Sequence, residues 1–200
     1  WMGRICGCMH GKPVECVRTN VFIPFLKETN NYPLTRYIYR SDLTDEICEK
    51  YSAFPFKEKV YADEINRMPW DDDTNYVVLN QSIIEKYGKN FTAEDVAKSW
   101  IEYQKKDAYC TAERVAFRNF VNGYKPPYSA TYKNPYREWI GAQIRADYYG
   151  YIFPGDPEKA SEAAFKDASV SHVKNGIYGE MFVAAALAVA ACTDNTIDII

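Results

Sequence analysis

Residues 70–87 read Trp-Asp-Asp-Asp-Thr-Asn-Tyr-Val-Val-Leu-Asn-Gln-Ser-Ile-Ile-Glu-Lys-Tyr, and this stretch decides the interpretation of the fold. After the acidic run, apolar side chains recur at helical spacing, at Tyr76, Leu79, Ile83 and Tyr87. A period near 3.6 residues predicts an amphipathic helix over about residues 75–87. The three carboxylates of Asp71, Asp72 and Asp73 are therefore expected at the N-terminus of that helix.

Two explanations fit three adjacent aspartates at a helix start. Aspartate is favoured as an N-cap, and its charge is stabilised by the positive end of the helix dipole. One or two carboxylates satisfy that need, whereas a third adds repulsion that a divalent cation such as Mg²⁺ would relieve. Successive helical side chains diverge by about 100°, so convergence on one cation requires Asp71 to lie outside the helix. Both explanations stay open at this point.

Composition narrows the class of protein. The chain has 200 residues, an apolar content of 47% and a net charge of −3, which suits one globular domain without general attraction to nucleic acid or anionic membrane. Six cysteines without paired CxxC motifs, and only two histidines, argue against a zinc cluster. We interpret the cysteines as reduced thiols of a cytoplasmic protein. The longest apolar run, residues 181–192, is too short for a bilayer span of about 20 residues and predicts a buried helix.

Helical signals dominate the rest of the chain. Thr92 resembles the first residue of a capping box, and Asp156-Pro157 is a typical helix start. Further helical patterns cover residues 44–51, 111–122, 136–146 and 176–191. Residues 19–43 are expected to be irregular. Because no convincing pair of strands occurs, the sequence predicts an all-α fold in a single domain of residues 1–200.

The first helix carries glycine at every fourth position, at Gly3, Gly7 and Gly11. Each glycine weakens a helix by roughly 1 kcal/mol relative to alanine. This predicts that another helix, or less readily a ligand, approaches the backbone of that face. Glu15 follows Pro13 and is either a general base in a crowded pocket or a surface or capping residue.

Two further polar residues each allow two interpretations. Arg145, close to Gly141, would hold a phosphate with two hydrogen bonds or would pair with Asp147 or Glu138. His172 is either a structural histidine held by hydrogen bonds or a ligand-binding or catalytic group.

Four segments together resemble the ADP-ribosylglycohydrolase family, the group that includes dinitrogenase reductase-activating glycohydrolase. They are residues 3–15, 70–74, 139–145 and 167–180, which look like the opening helix with its acidic residue, the metal motif, the Gly-rich ADP-ribose loop and the Ser/Thr-His block. Their order matches, and they span most of the chain. The resemblance implies an orthogonal all-α helical bundle that hydrolyses the glycosidic bond between ADP-ribose and a protein side chain or small molecule.

The resemblance also implies roles for individual residues. It assigns catalysis to Glu15 and Asp72. It assigns binding of two Mg²⁺ ions in the complete protein partly to Asp71, Asp72 and Asp73. It assigns substrate binding to Gly141, Gln143, Arg145 and His172. These residues are expected to line one cleft that accepts ADP-ribose or an ADP-ribosylated substrate, with neither nucleic acid nor membrane as a partner.

Two departures from the family pattern shape the remaining expectations. Asp71 stands where many members carry threonine, and the late Asp-x-Asp-Thr motif is missing, with Asp194-Asn195-Thr196 as the nearest string. We therefore expect the chain to be the N-terminal two-thirds of a longer domain, incomplete at its C-terminus. Alone it should bind metal weakly, hydrolyse little and expose apolar helix faces. The alternatives are a non-catalytic ADP-ribose-binding, nucleotide-binding or structural protein of the same fold, and a hydrolase of another ribosyl or glycosyl substrate.

Overall fold

The computed structural model describes residues 1–54, 56 and 59–199. Within these residues it contains ten α-helices and no strand. The predicted all-α fold is therefore confirmed. The chain divides into two compact units, Trp1–Thr74 and Asn75–Ile200, and the division falls within the first turn of a helix.

The first unit contains three complete helices and the start of a fourth. These are α1 (Met2–Gly11), α2 (Thr19–Glu28), α3 (Asp45–Lys50) and the first turn of α4 (Asp72–Tyr87). Its core is an apolar cluster of Phe25, Leu26, Ile38, Phe56 and Tyr61. The rings of Phe25 and Phe56 stack with their centroids 4.3 Å apart, so contacts between distant parts of the chain hold this unit together.

The second unit contains the rest of α4 and six more helices. These are α5 (Ala93–Tyr103), α6 (Thr111–Val121), α7 (Tyr128–Thr131), α8 (Asp147–Ile152), α9 (Pro157–Ala168) and α10 (Asn175–Ala190). Helix α10 packs against α9, α8 and a 3₁₀ turn, Ile140–Arg145. A Cβ atom added to Gly150 of α8 would lie 2.5 Å from the Leu187 Cβ. Glycine at this position thus permits the close packing of α8 on α10.

Local capping signals in the sequence are confirmed by the helix starts. The Thr92 side chain accepts a hydrogen bond from the Asp95 N–H, and the Asp95 carboxylate accepts one from the Thr92 N–H, which completes a capping box. Asp156 accepts from the Lys159 N–H at 3.0 Å and caps α9. These bonds satisfy N–H groups that have no partner inside the helix.

Two predictions about local structure are wrong. Residues 19–28, expected to be irregular, form α2 although Pro24 lies inside it. Residues 136–146, expected to be helical, instead contain the 3₁₀ turn, and α8 begins only afterwards. Trp139 and Ile140, which contributed to the helical pattern, are 55% and 76% exposed. That apolar stripe is therefore not a buried helix face.

The expectation that another helix approaches the glycines of α1 is also wrong, whereas the alternative of a ligand stays a prediction. A Cβ atom added to Gly3, Gly7 or Gly11 would meet no atom within 4 Å. The glycine face of α1 consequently opens onto free space in the described part of the structure.

The apolar run near the C-terminus is only partly buried. In α10, Ala184 and Ala188 are buried, whereas Phe182 is 56% exposed. The prediction of a buried helix holds for one side of α10 only. None of the described helices is long and apolar enough to cross a lipid bilayer.

Candidate active site and metal centre

The three aspartates lie where α4 begins. Asp71 precedes the helix, and its Oδ1 accepts a hydrogen bond from the Asp73 N–H at 2.9 Å. The Thr74 hydroxyl donates to the Asp71 carbonyl at 3.2 Å. Asp71 therefore caps α4 and lies outside it, the geometry that convergence on a cation requires.

A group of possible cation ligands includes two of the three aspartates and one cysteine. Ligand atoms of Cys8, Asp71 and Asp73 all lie within 4.8 Å of one another, and we call these residues the donor triad. Asp72 is not part of this group. Cys8 comes from α1, 63 residues before Asp71 in the chain, so no local pattern pointed to it.

Two basic side chains already offset the charge of the donor triad. The Lys12 ammonium contacts Asp71 Oδ2. The Arg4 guanidinium donates to the Asp73 carbonyl oxygen at 2.7 and 3.0 Å, and its Nη2 lies 3.7 Å from Asp73 Oδ1. The start of α4 is therefore a position to which cationic groups are drawn.

The carboxylates of this region differ in their affinity for protons. Burial, followed by the charges of Asp71 and Asp73, raises the pKa of Asp72. Burial alone would also raise the pKa of Asp71, but the Lys12 ammonium and the Asp73 N–H outweigh it and lower that pKa. Burial and the neighbouring Asp71 raise the pKa of the Cys8 thiol to about 12. Asp71 is thus the stronger anion, Asp72 the better proton acceptor, and Cys8 a neutral thiol at pH 7.

Glu15 belongs to the same unit and lies close enough to affect this region. Its charge contributes to the raised pKa of Asp72. It ends the 3₁₀ turn Lys12–Val14, and its side chain is exposed. The idea of a general base in a crowded pocket is therefore wrong about the surroundings, although an exposed carboxylate can still meet water and substrate.

In the second unit, Arg145 has no exposed surface and lies among three carboxylates. Its Nε donates to Asp167 Oδ2 at 2.6 Å, its Nη1 lies 3.2 Å from Glu113 Oε1, and its Nη2 lies 3.5 Å from Glu180 Oε2. We call Arg145 and these three acids the buried ionic cluster. These acids, not the Asp147 or Glu138 proposed from the sequence, are its closest carboxylate partners in the described residues.

His172 joins the same cluster through Ser171. The Ser171 hydroxyl lies 3.0 Å from Arg145 Nη1 and 2.8 Å from His172 Nδ1. Burial, and secondarily the charge of Arg145, lowers the pKa of His172 to about 3. His172 has no exposed surface, so it has the environment of a neutral structural histidine.

The other two predicted substrate-binding residues lie in the 3₁₀ turn. A Cβ atom on Gly141 would lie 2.6 Å from Glu113 Oε2, so a larger residue there would push the Glu113 carboxylate from its place beside Arg145. The side chain of Gln143 is exposed. Of the four residues, Gln143 presents its side chain to solvent, whereas Arg145 and His172 do not.

The acids of the buried ionic cluster were missed by sequence reasoning. Glu113 lies in the helical pattern of residues 111–122, which gives no sign of a charged partner. Glu180 did carry a signal, because it is one acidic residue directly before a long apolar run. A lone charge on a buried face usually has a partner, and Arg145 fits that role.

The all-α fold and the carboxylates at the start of α4 define a class: helical proteins with a candidate cation site at a helix N-terminus. A family model described as ADP-ribosylglycohydrolase matches residues 1–199, and the chain belongs to this family. The family is a hydrolase family of the glycosidase type, and the resemblance seen in the sequence is confirmed. Comparisons with curated proteins and with solved structures returned no match.

Proposed function

We propose that this protein is a Mg²⁺-dependent hydrolase that releases ADP-ribose from ADP-ribosylated protein side chains or small molecules. The observation that carries the proposal is the donor triad at the start of α4, in a member of this glycosidase family. The carboxylates of Asp71 and Asp73 offer the hard oxygen ligands that Mg²⁺ takes in proteins.

The region around the donor triad fits a divalent cation for two reasons. Asp71, Asp72, Asp73 and Glu15 are four carboxylates, whereas Arg4, Lys12 and Lys59, which donates to the Glu15 carbonyl oxygen, are three bases, so a negative excess remains. In addition, the Lys12 ammonium already contacts Asp71 Oδ2 as a cation would. We assign one ion to this site, and a second ion would need further ligands of the kind that the family's late Asp-x-Asp-Thr motif provides.

The residues of the first unit have distinct roles in the proposed reaction. A bound divalent cation supplies Lewis acidity, which lowers the pKa of water and polarises sugar hydroxyls. Glu15, which is exposed, accepts the proton that the attacking water loses. The water oxygen bonds to C1 of the ribose as the bond to the leaving group breaks, and the leaving group takes up a proton. Asp72, with its raised pKa, is the aspartate best suited to hold a proton during this exchange.

In the second unit we assign ADP-ribose binding to the 3₁₀ turn Ile140–Arg145. Gln143 offers an exposed amide, and Gly141 keeps the backbone free of side-chain atoms. Arg145 and His172 support this turn from the interior. The prediction that this turn and the acidic residues meet in one cleft stays a prediction.

The test is an assay of ADP-ribose release by the native protein, with Mg²⁺ and after chelation, using serine-linked, arginine-linked and small-molecule substrates. Asp71→Asn and Asp73→Asn should each lower turnover by about 100-fold or more, because small displacements of catalytic groups already cost that much. Asp156→Asn is the matched control, since Asp156 also caps a helix and asparagine caps equally well.

The other possible results of these assays distinguish the proposed mechanism from the two alternative functions. Turnover that survives chelation, or that Asp71→Asn leaves unchanged, would rule out the proposed mechanism. Binding of ADP-ribose without release of product from any substrate would favour the non-catalytic alternative. Release from another glycosyl substrate alone would keep the hydrolase and change its substrate.

A further inference from the structure

The position of Lys12 carries an inference beyond the proposed function. Lys12 follows α1 directly and begins the 3₁₀ turn, whose Pro13 is buried. Its side chain is 17% exposed, and that of its partner Asp71 is 9% exposed. The ammonium is therefore placed at the donor triad by the fold, unlike a surface lysine that meets a carboxylate by chance.

Both oxygens of Asp71 are engaged. Oδ1 accepts the Asp73 N–H that caps α4, and Oδ2 contacts the Lys12 ammonium. Arg4 donates to the carbonyl oxygen of Asp73. A carboxylate oxygen can accept more than one bond, but a divalent cation on the Asp71 carboxylate would lie close to the Lys12 ammonium that contacts Oδ2.

We propose that Lys12 is an internal counter-ion that competes with the divalent cation for Asp71. The two positive charges would repel each other on the same carboxylate, so binding of one weakens binding of the other. The lysine side chain has a flexible four-carbon stem, which lets the ammonium leave when the cation arrives. This inference rests on the proposed function, because it concerns the same cation site.

The competition has two consequences. Without a cation, Lys12 offsets repulsion among the aspartates and keeps the site assembled. With a cation, displacement of Lys12 weakens the measured affinity, and by linkage the cation weakens the Lys12–Asp71 contact equally. Monovalent cations, with half the charge, should displace Lys12 poorly, so the lysine also favours divalent ions.

The experiment compares Mn²⁺ binding to the native protein and to Lys12→Met, with free Mn²⁺ measured by electron paramagnetic resonance. Methionine keeps an unbranched side chain that is one atom shorter, and it removes the charge. We expect binding at least tenfold tighter in Lys12→Met. Lys50→Met is the matched control, because it makes the same charge change and also breaks a contact with a carboxylate, that of Glu28. It should change the affinity less than twofold.

A second measurement needs no variant. The rate at which an acylating reagent modifies the Lys12 amine, followed by peptide mass spectrometry, should rise when Mn²⁺ binds, while that of Lys50 stays constant. Unchanged affinity in Lys12→Met, or an unchanged Lys12 reaction rate, would overturn the inference and leave the cation site intact. Failure of Mn²⁺ to bind, or binding that Asp71→Asn does not weaken, would overturn both the inference and the proposed cation site.

Discussion

The chain builds two clusters from similar side chains and places them in different surroundings. At the start of α4, Lys12 contacts Asp71 and Arg4 lies beside Asp73, which keeps 37% of its side chain exposed. In the buried ionic cluster, three acids surround Arg145, and neither Arg145 nor Asp167 has any exposed surface. The first cluster has a negative excess that an external cation can reach, whereas the second is closed to solvent.

This difference indicates that burial and the type of basic residue determine whether such a cluster is a fixed part of the structure or can bind an external cation. A guanidinium offers several fixed donors and stays charged, so Arg145 links three acids with defined geometry. An ammonium on a flexible stem makes a contact that a competing ion can replace. Arg145 therefore has a structural role in the second unit, whereas the role that we propose for Lys12 is at the cation site of the first.

The largest difference between the two clusters is expected when the basic residue of each is replaced, Arg145 in one and Lys12 in the other. Arg145→Met should destabilise the protein by about 3–5 kcal/mol, because removal of one partner leaves buried charges without compensation. Lys12→Met should cost far less. Urea unfolding of both variants measures the difference. Lys125→Met, which breaks an exposed pair with Glu94, is a control that should change little, and equal losses in all three variants would contradict the comparison.

The next test concerns the turn that Arg145 holds. Gly141→Ala should destabilise the protein by about 1–3 kcal/mol, the usual cost of overpacking, since the new methyl group would meet the Glu113 carboxylate. Gly7→Ala makes the same substitution in a helix and should change stability in the opposite direction. Open space surrounds the Gly7 position, so alanine should stabilise α1 by up to about 1 kcal/mol. Thermal unfolding of both variants measures these changes in stability. If Gly141→Ala made the protein more stable, the tight packing of the turn on α6 would be refuted.

The pH dependence of stability tests the environment of His172. Burial and Arg145 lower the pKa of His172 to about 3, below the value near 6.5 of an unfolded chain. The unfolded state therefore binds more protons, and the stability present above pH 6.5 is lost as the pH falls from 6.5 towards 3. Between pH 7 and 5.5 the loss should be about 1 kcal/mol.

His172→Asn removes this titration and keeps a group near the Ser171 hydroxyl. It should flatten the pH dependence of the free energy of unfolding between pH 7 and 5.5. His10→Asn controls for the substitution itself, because the His10 side chain is exposed. An unaltered slope in His172→Asn would mean that His172 takes up a proton in the folded protein.

The smallest effect is expected at Glu180. Burial and the neighbouring Asp167 raise the pKa of Glu180 well above its usual value, and the nearest base, Arg145, keeps its Nη2 3.5 Å from Glu180 Oε2. Glu180 should therefore be neutral at pH 7, and Glu180→Gln should change stability by less than about 1 kcal/mol. Asp167→Asn should cost about 1.5–3 kcal/mol, because it weakens a hydrogen bond to a charged group. Urea unfolding separates the two variants, and the reverse order of losses would place the charge on Glu180.

Local signals in the sequence predicted the helix starts well. Thr92 and Asp156 cap helices because their side chains reach N–H groups three residues away, and that information is contained in the neighbouring residues. Helix α2 escaped prediction because Pro24 costs about 3 kcal/mol inside a helix. Burial of Phe25 and Leu26, each contributing about 1.5–3 kcal/mol, offsets that cost. Such an offset depends on tertiary contacts that no local window contains.

Some residues of the candidate site could likewise be predicted from local sequence, and others could not. Asp71 was predictable as a cap and candidate ligand from its place before a helix. Cys8 and Lys12 were not, because they meet Asp71 only after the chain has folded. Arg145 was singled out correctly as unusual, but its partners come from α6, α9 and α10, and only their packing reveals that it is enclosed.

Arg145 also has a consequence for how the second unit assembles. Its carbonyl oxygen accepts a hydrogen bond from Asn80 Nδ2 at 2.8 Å, across 65 residues, while its side chain bonds to α6, α9 and α10. Closing all these loops costs entropy before any of the bonds forms. The turn should therefore acquire its geometry late in folding, in one cooperative step with four helices. Its backbone amides would then exchange with deuterium only when the whole unit opens, which makes them natural reporters of global unfolding.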